Sequence, residues 1–266
     1  MNLLVCVKQT PDMADARLDP ETGRLSREGT AALNPYDACA LEAAARIRDR
    51  LPDAGITALA MGPESAAGVL RECLAAAADR AWLICDSAFQ GSDTLATSYI
   101  LACAIQRLEA SEGRFDAILC GKQTADGGCG HVGPQLAEYL DRPLVGGALE
   151  CIVEKDCFEV LREGPENMQV IGVEAPCVLT FTKTRFDLRF PTIKRKLAAK
   201  RAEIPTLTAA DLTGLDVGRV GAEGALTRVK RVYAPERPRS VTIIKEGAPA
   251  EKAAGLAELL WNARMI

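Results

Sequence analysis

Short apolar runs alternate with longer segments of helical periodicity over the first 120 residues. Residues 2–7 (NLLVCV) form a continuous apolar run, the pattern of a strand buried on both faces of a sheet. Residues 8–35 are polar and hold Asp19-Pro20-Glu21-Thr22-Gly23, a turn suited to the tip of a hairpin. Asn34-Pro35-Tyr36-Asp37 opens a helix to about residue 51, with Leu41, Ala44, Ala45, Ile47 and Leu51 at helical spacing. Strands at 56–61, 80–85 and 115–120 follow. Between them lie an alanine-rich helix at 64–78 and a helix to about residue 108 that Ser92 or Asp93 can cap. This alternation predicts an α/β fold with a mostly parallel, doubly wound sheet and helices on both faces. Such sheets bind ligands outside the carboxyl ends of their strands. Those ends carry Lys8-Gln9-Thr10, Met61-Gly62-Pro63, Asp86-Ser87 and the stretch after residue 120.

The pattern changes after Pro143. Residues 149–153, 157–162, 169–173 and 177–182 read as short strands with turns at Lys155-Asp156 and Gly164-Pro165, which predicts an added antiparallel meander. Residues 182–201 carry eight Lys and Arg against Asp187, interleaved with Phe186, Leu188, Phe190, Ile193 and Leu197. Residues 229–239 (VKRVYAPERPR) are basic and broken by proline, which predicts an extended arm. Residues 251–263 predict a terminal helix with Leu256, Leu259 and Leu260 on one side. The expected division is an α/β domain over 1–205, including the basic segment 183–204, and a C-terminal arm and helix over 206–266.

Residues 118–135 (ILCGKQTADGGCGHVGPQ) leave the fourth strand, pass five glycines and enter a helix at 134–140. Glycine lets the backbone approach an anion, and free N–H groups at a helix start point at it. Residues 128–133 match G-x-G-x-x-G by letter, but they lie several residues beyond the strand, so they do not make a dinucleotide fingerprint. Asp126 and His131 could form an acid–base pair, yet nothing places a nucleophile beside them. Asp126 fixing the turn and His131 bonding a ligand or beginning the helix is the simpler expectation.

Composition narrows the classes. The 266 residues carry a net charge of −4, so nucleic-acid binding is not advertised by the whole molecule, although the basic run alone could suit RNA as well as a protein surface or a negatively charged flavin. No segment approaches the ~20 apolar residues of a membrane span, and the N-terminus reads as a strand, not a signal peptide. Ten scattered cysteines without a CxxC pair suit reduced thiols in a cytoplasmic protein, and the single His131 excludes a His-rich metal site.

Taken together, VCVKQTPD at 5–12, Asn34-Pro35-Tyr36-Asp37, GKQTADGGCGHVGP at 121–134 and above all RFPTIKRKLAAKRAEI at 189–204 resemble the β subunit of electron-transfer flavoproteins over nearly the whole chain. The resemblance implies an adenine-nucleotide-binding α/β core, pairing with an α subunit that carries an FAD, and electron transfer with acyl-CoA or other dehydrogenases. In the simple carriers the β subunit holds a structural AMP. In the bifurcating branch it holds a second FAD that takes a hydride from NADH and, as a complex only, sends one electron toward an acceptor such as ferredoxin or flavodoxin.

By motif position, the nucleotide would contact Cys6, Lys8, Asn34, Pro35, Tyr36, Asp37, Met61 and Thr94. It would also contact the loop Gln123, Thr124, Ala125, Asp126, Gly127, Gly128, Cys129, Gly130, His131, Val132, Gly133 and Pro134. Arg162 would lie near the α-subunit flavin, where positive charge favours its anionic reduced form. Ile193 would anchor partner recognition, with Lys194, Arg195, Lys196, Leu197 and Lys200 on the helix behind it. The loop resembles the D-G-D-T-x-Q-V-G-P form of the FAD-binding branch, with Gly128 in place of an acid and His131 in place of a glutamine. FAD is therefore favoured over AMP. A stand-alone ATP-binding protein of the same sheet class is the alternative, but Lys8-Gln9-Thr10-Pro11-Asp12 is not the Ser/Gly-rich phosphate loop an adenylating enzyme needs.

Overall fold

The computed structural model describes residues 1–11, 31–155, 157–230 and 241–266. The chain divides into two compact units, Met1–Lys230 and Arg231–Ile266. The first unit is built on a nine-stranded sheet. Its strands, in chain order, are β1 (Asn2–Val7), β4 (Gly55–Met61), β5 (Arg80–Ile84), β6 (Ala117–Gly121), β7 (Leu144–Glu154), β8 (Cys157–Glu163), β9 (Met168–Glu174), β10 (Cys177–Phe181) and β11 (Thr206–Leu207). The spatial order is β11-β5-β4-β1-β6-β10-β7-β8-β9. Every pairing from β11 to β7 is parallel, and only β7-β8 and β8-β9 are antiparallel. A separate ribbon pairs β2 (Gln9–Pro11) with β3 (Ala31–Leu33), the base of the expected hairpin. The turn at 19–23 lies outside the described residues.

Alternation along the strands explains the layering. Leu3, Val5 and Val7 face one side of β1 and pack with α1 (Pro35–Arg50) and α2 (Ala67–Ala76). Leu4 and Cys6 face the other side, with α3 (Thr94–Glu112) and α4 (Val132–Tyr139). Successive side chains of a strand point to opposite faces, so a run without polar positions must be covered twice. The chain moves from β1 through β4 to β5, then crosses to β6 on β1's other flank. The topological switch point therefore falls between β1 and β6.

The helix expected over 64–78 is a 3-10 turn, Glu64–Ala66, followed by α2. One assignment is corrected. Residues 177–182 do not close the meander. β10 inserts between β6 and β7 and runs parallel to both. All five of its side chains are buried, which a central position provides and an edge position cannot. The antiparallel addition is β7-β8-β9.

The basic segment forms α5 (Ile193–Arg201), capped by Thr192, whose hydroxyl accepts from Arg195 N. After β11, Leu212 and Val220 are buried against the α3 face, and a single turn, α6 (Gly221–Gly224), follows. The second unit is described by α7 (Pro249–Asn262), where Leu256 and Leu259 are exposed. Of the arm expected at 229–239, residues 231–239 lie outside the described ones. No helix among the described residues is long and apolar enough to cross a membrane.

Candidate nucleotide site at the switch point

Asn34 and Asp37 organise the edge of the sheet where β1 and β6 end. Pro35 sits at the first helical position of α1, where its missing N–H costs nothing. The Asn34 side chain makes no capping bond to its own helix, and both polar side chains serve neighbouring chain. Asp37 is 5% exposed. One of its oxygens accepts from Lys8 N at 2.7 Å and the other from Gly121 N at 3.0 Å. One carboxylate thus ties the ends of the two strands that flank the switch point. Burial pushes its pKa up to about 7, against hydrogen bonds from Asn34 and the two backbone N–H groups and the charge of Lys8, all of which lower it. Gly121 has no room for a side chain, because a Cβ there would strike Asp37 Oδ1.

Asn34, fully buried, does the same for the loop. Its Nδ2 donates to Gln123 O at 2.9 Å and its Oδ1 accepts from Ala125 N at 3.1 Å. Its own N–H donates to Lys8 O. Gln123 Nε2 also reaches the Tyr36 hydroxyl at 3.4 Å. The next turn is local: Thr124 Oγ1 accepts from Gly127 N and Thr124 O accepts from Gly128 N. Gly128 and Gly130 have φ of 66° and 69°, the left-handed region that glycine enters without strain. Cys129 is exposed between them.

Asp126 and Lys8 meet at 2.8 Å across the mouth of this edge. Burial raises the Asp126 carboxyl, but hydrogen bonds from Lys8 and Thr124 and the Lys8 charge outweigh it and hold the carboxyl below its usual value. Asp126 is therefore spoken for by Lys8, and the acid–base pairing with His131 does not form. His131 takes the N-cap position of α4 without a side-chain cap. Val132 and Gly133 open the helix, so helix geometry gives their N–H groups no intrahelical partner, and Pro134 has none to offer. Gly133 lies against Thr180, where a Cβ would strike Cγ2. The α4 start is thereby drawn against β10.

The remaining predicted contacts stand on the same edge. Cys6 and Cys120 are a register pair of β1 and β6 on the α3 face. Contact with the Cys6 thiol and burial push the Cys120 thiol well above its ordinary pKa, so Cys120 stays a thiol. Met61 ends β4 one residue beyond the Val7–Ala60 pair, level with Lys8. Thr94 begins α3, whose start is already occupied. One Asp93 oxygen accepts from Leu95 N and Ala96 N, and the other accepts from Thr227. Ser98, one turn further, lies within hydrogen-bond distance of Val132 O and Gln135 Oε1, which joins the starts of α3 and α4. The donor set therefore fits an anion at α4 better than at α3.

Arg162 is not part of this cluster but shares its edge. The register runs Gly121 to Phe181, Phe181 to Ala148 and Ala148 to Arg162, three strand spacings or about 14 Å. Its Nε is buried with no partner among the described residues. The residues expected to recognise a partner lie elsewhere, on the α1/α2 side. Ile193 is 81% exposed, Leu197 is 56% exposed, and Lys194, Lys196 and Lys200 are exposed around them. Phe190, expected only as one of the apolar residues in the basic run, is 98% exposed. The signal was present as an aromatic just before Pro191 in a basic run. Arg195 turns inward to the end of α2.

Comparison with known proteins identifies the family. The family described as "Electron transfer flavoprotein domain" matches residues 22–212. The electron transfer flavoprotein subunit beta of Megasphaera elsdenii is 42% identical over 95% of this chain and 94% of its own length. Protein FixA of Azorhizobium caulinodans is 38% identical over 94% and 92%. Subunit CarD of the caffeyl-CoA reductase-Etf complex of Acetobacterium woodii is 36% identical over the full length of both. With a parallel sheet whose switch point is tied by Asp37 and Asn34, and with relatives matched from end to end, the chain belongs to the electron transfer flavoprotein family, as a β subunit.

Proposed function

We propose that this chain binds FAD at the β1/β6 switch point, pairs with an α subunit carrying a second FAD, and passes electrons between NADH or a dehydrogenase and the α-subunit flavin. The observation that carries this is the double tie at α1. Asp37 and Asn34 hold the ends of β1 and β6 and the 123–125 backbone in one cradle open at the carboxyl edge. A bound flavin would supply the acceptance and release of electrons. The chain's own residues would bind and orient it. Val132 and Gly133 N–H groups, at the positive end of α4, would meet a phosphate. Lys8 would add a charge-assisted contact, with Asp126 holding its ammonium over the edge. Gly128 and Gly130 would let the backbone approach the pyrophosphate.

Arg162, with its unpartnered Nε on the same edge, would stabilise a reduced, anionic flavin of the α subunit. The exposed Phe190, Ile193 and Leu197, rimmed by Lys194, Lys196 and Lys200, would dock an acyl-CoA or other dehydrogenase through an apolar centre and a basic rim. The arm and α7 would bury their apolar side chains on the α subunit. A bifurcating role, with ferredoxin or flavodoxin as low-potential acceptor, rests on the form of the 126–134 loop. Ten free thiols suit a cytoplasmic complex.

The test is flavin and nucleotide stoichiometry on the purified α/β complex, by visible spectrum and by release of bound nucleotide. Two FAD per heterodimer are expected. One FAD with one AMP would assign the simple carrier instead, and no nucleotide in the β subunit would refute the site. ATP turnover by the chain alone would favour a stand-alone nucleotide-binding protein.

A further inference from the structure

We propose that Arg189 and Arg195 are positioning residues that clamp the basic segment onto α1 and α2, so that its docking face is presented in one fixed orientation. This rests on the partner-docking role proposed above.

The residues of this segment divide by direction. Phe190, Ile193 and Leu197 point to solvent. Arg189 does not. Its Nε and one Nη bond both oxygens of Glu42 at 2.9 and 3.0 Å, and its two Nη atoms bond both oxygens of Asp49 at 3.0 and 2.8 Å. Its backbone N–H also donates to Glu42, at 3.1 Å. Glu42 is 5% exposed on α1, so its charge would be stranded without the guanidinium. Arg46 of the same helix lies 3.6 Å over the Phe186 ring, a second hold on the loop before α5.

Arg195 provides the third. Its Nε donates to Ala75 O at 3.1 Å, and one Nη donates to Leu74 O and Ala78 O, each at 2.8 Å. Leu74 and Ala75 lie in the last turn of α2 and Ala78 just beyond it, where backbone acceptors lack helical partners and the dipole favours a cation. Lysine carries one charge but no planar fork, so it cannot reproduce three directed bonds. An anchor of fixed orientation loses less entropy on docking than one that must first be ordered. The clamp thus acts on partner affinity without touching the partner.

The experiment uses the α/β complex, with a purified acyl-CoA dehydrogenase as electron donor and the flavin absorbance as readout. Variants are Arg195→Gln, Arg195→Lys, Arg189→Lys and, as the exposed reference, Ile193→Ala. Amide exchange over residues 190–201, flavin content and melting temperature are measured alongside. Arg195→Gln is expected to raise KM for the dehydrogenase about tenfold at unchanged kcat and flavin content, with faster exchange over α5. Arg195→Lys recovers part of the loss, and Arg189→Lys, which keeps a charge beside Glu42, moves the same way as Arg195→Gln. Ile193→Ala raises KM without faster exchange. A wild-type KM for Arg195→Gln beside a raised KM for Ile193→Ala would overturn the clamp and leave the docking face standing. Wild-type KM values for both would overturn the docking role and the clamp with it.

Discussion

Replacing Asp37 by Asn tests the strut at the switch point through its proton. The carboxyl has a folded pKa of about 7 against an ordinary value of 3.8, because burial disfavours its charge more than its hydrogen bonds favour it. A raised pKa means that the folded state binds the proton more tightly than the unfolded chain. The stability this provides is complete below pH 3.8 and is lost as pH rises toward 7. Linkage over that interval gives a loss of about 2 kcal/mol between pH 5 and pH 7, at up to ~1.4 kcal/mol per pH unit.

The other shifted aspartates, Asp49, Asp86, Asp93, Asp126 and Asp211, are all held below their usual value. Their contributions are present above the unfolded value and are lost only as pH falls through the lower folded values. They therefore stay constant in this window. Glu72 is raised by burial, but it is common to both proteins and cancels in the difference. Urea unfolding of wild-type and Asp37→Asn complexes at pH 5, 6, 7 and 8 reads the effect as the difference between the two. That difference should move in favour of the variant by about 2 kcal/mol from pH 5 to pH 7. Nucleotide affinity should move the other way. An amide offers one acceptor, so either Lys8 N or Gly121 N is left facing an NH2 group, a loss of about 1–3 kcal/mol at the cradle. A difference that stays flat from pH 5 to pH 8 would refute the assignment of a buried, proton-linked carboxylate.

Two further outcomes follow from the same edge. Gly133→Ala drives a Cβ into Thr180 Cγ2 and should cost about 1–3 kcal/mol in unfolding stability. Adding Thr180→Ser removes that methyl while keeping the hydroxyl that accepts from Gly147 N, so the double variant should recover most of the loss. Lys8→Met breaks a partly exposed ion pair with Asp126 and should change stability by about 1 kcal/mol or less. Titration of AMP into nucleotide-stripped complex should nonetheless weaken about tenfold or more, since a charge-assisted phosphate contact is lost, and an unchanged affinity would remove Lys8 from the site.

Local pattern determined a large part of this protein. Short, mostly apolar runs marked β1, β4 and β6. Asn34-Pro35 marked the start of α1, and Asp93 marked the start of α3. These signals are short-range, because side-chain alternation and helix capping depend on residues a few positions apart. The motif segments pointed to one strand edge for the same reason, since a parallel sheet sends every strand's carboxyl end to the same side.

The tertiary structure decided what depends on pairing across long stretches of chain. Sequence order placed residues 177–181 beside the hairpin they follow, yet burial of both faces draws β10 between β6 and β7. Asp37 reads as an ordinary first-turn helix acid until Lys8 and Gly121, 29 and 84 residues away, bring their N–H groups to it. In the basic run Arg195 and Lys196 are adjacent letters of like charge. Only the packing of α5 on α2 sends one into the open carbonyls of a helix end and leaves the other in water. A charge is written in the sequence, but its partner is fixed by which elements the buried core brings side by side.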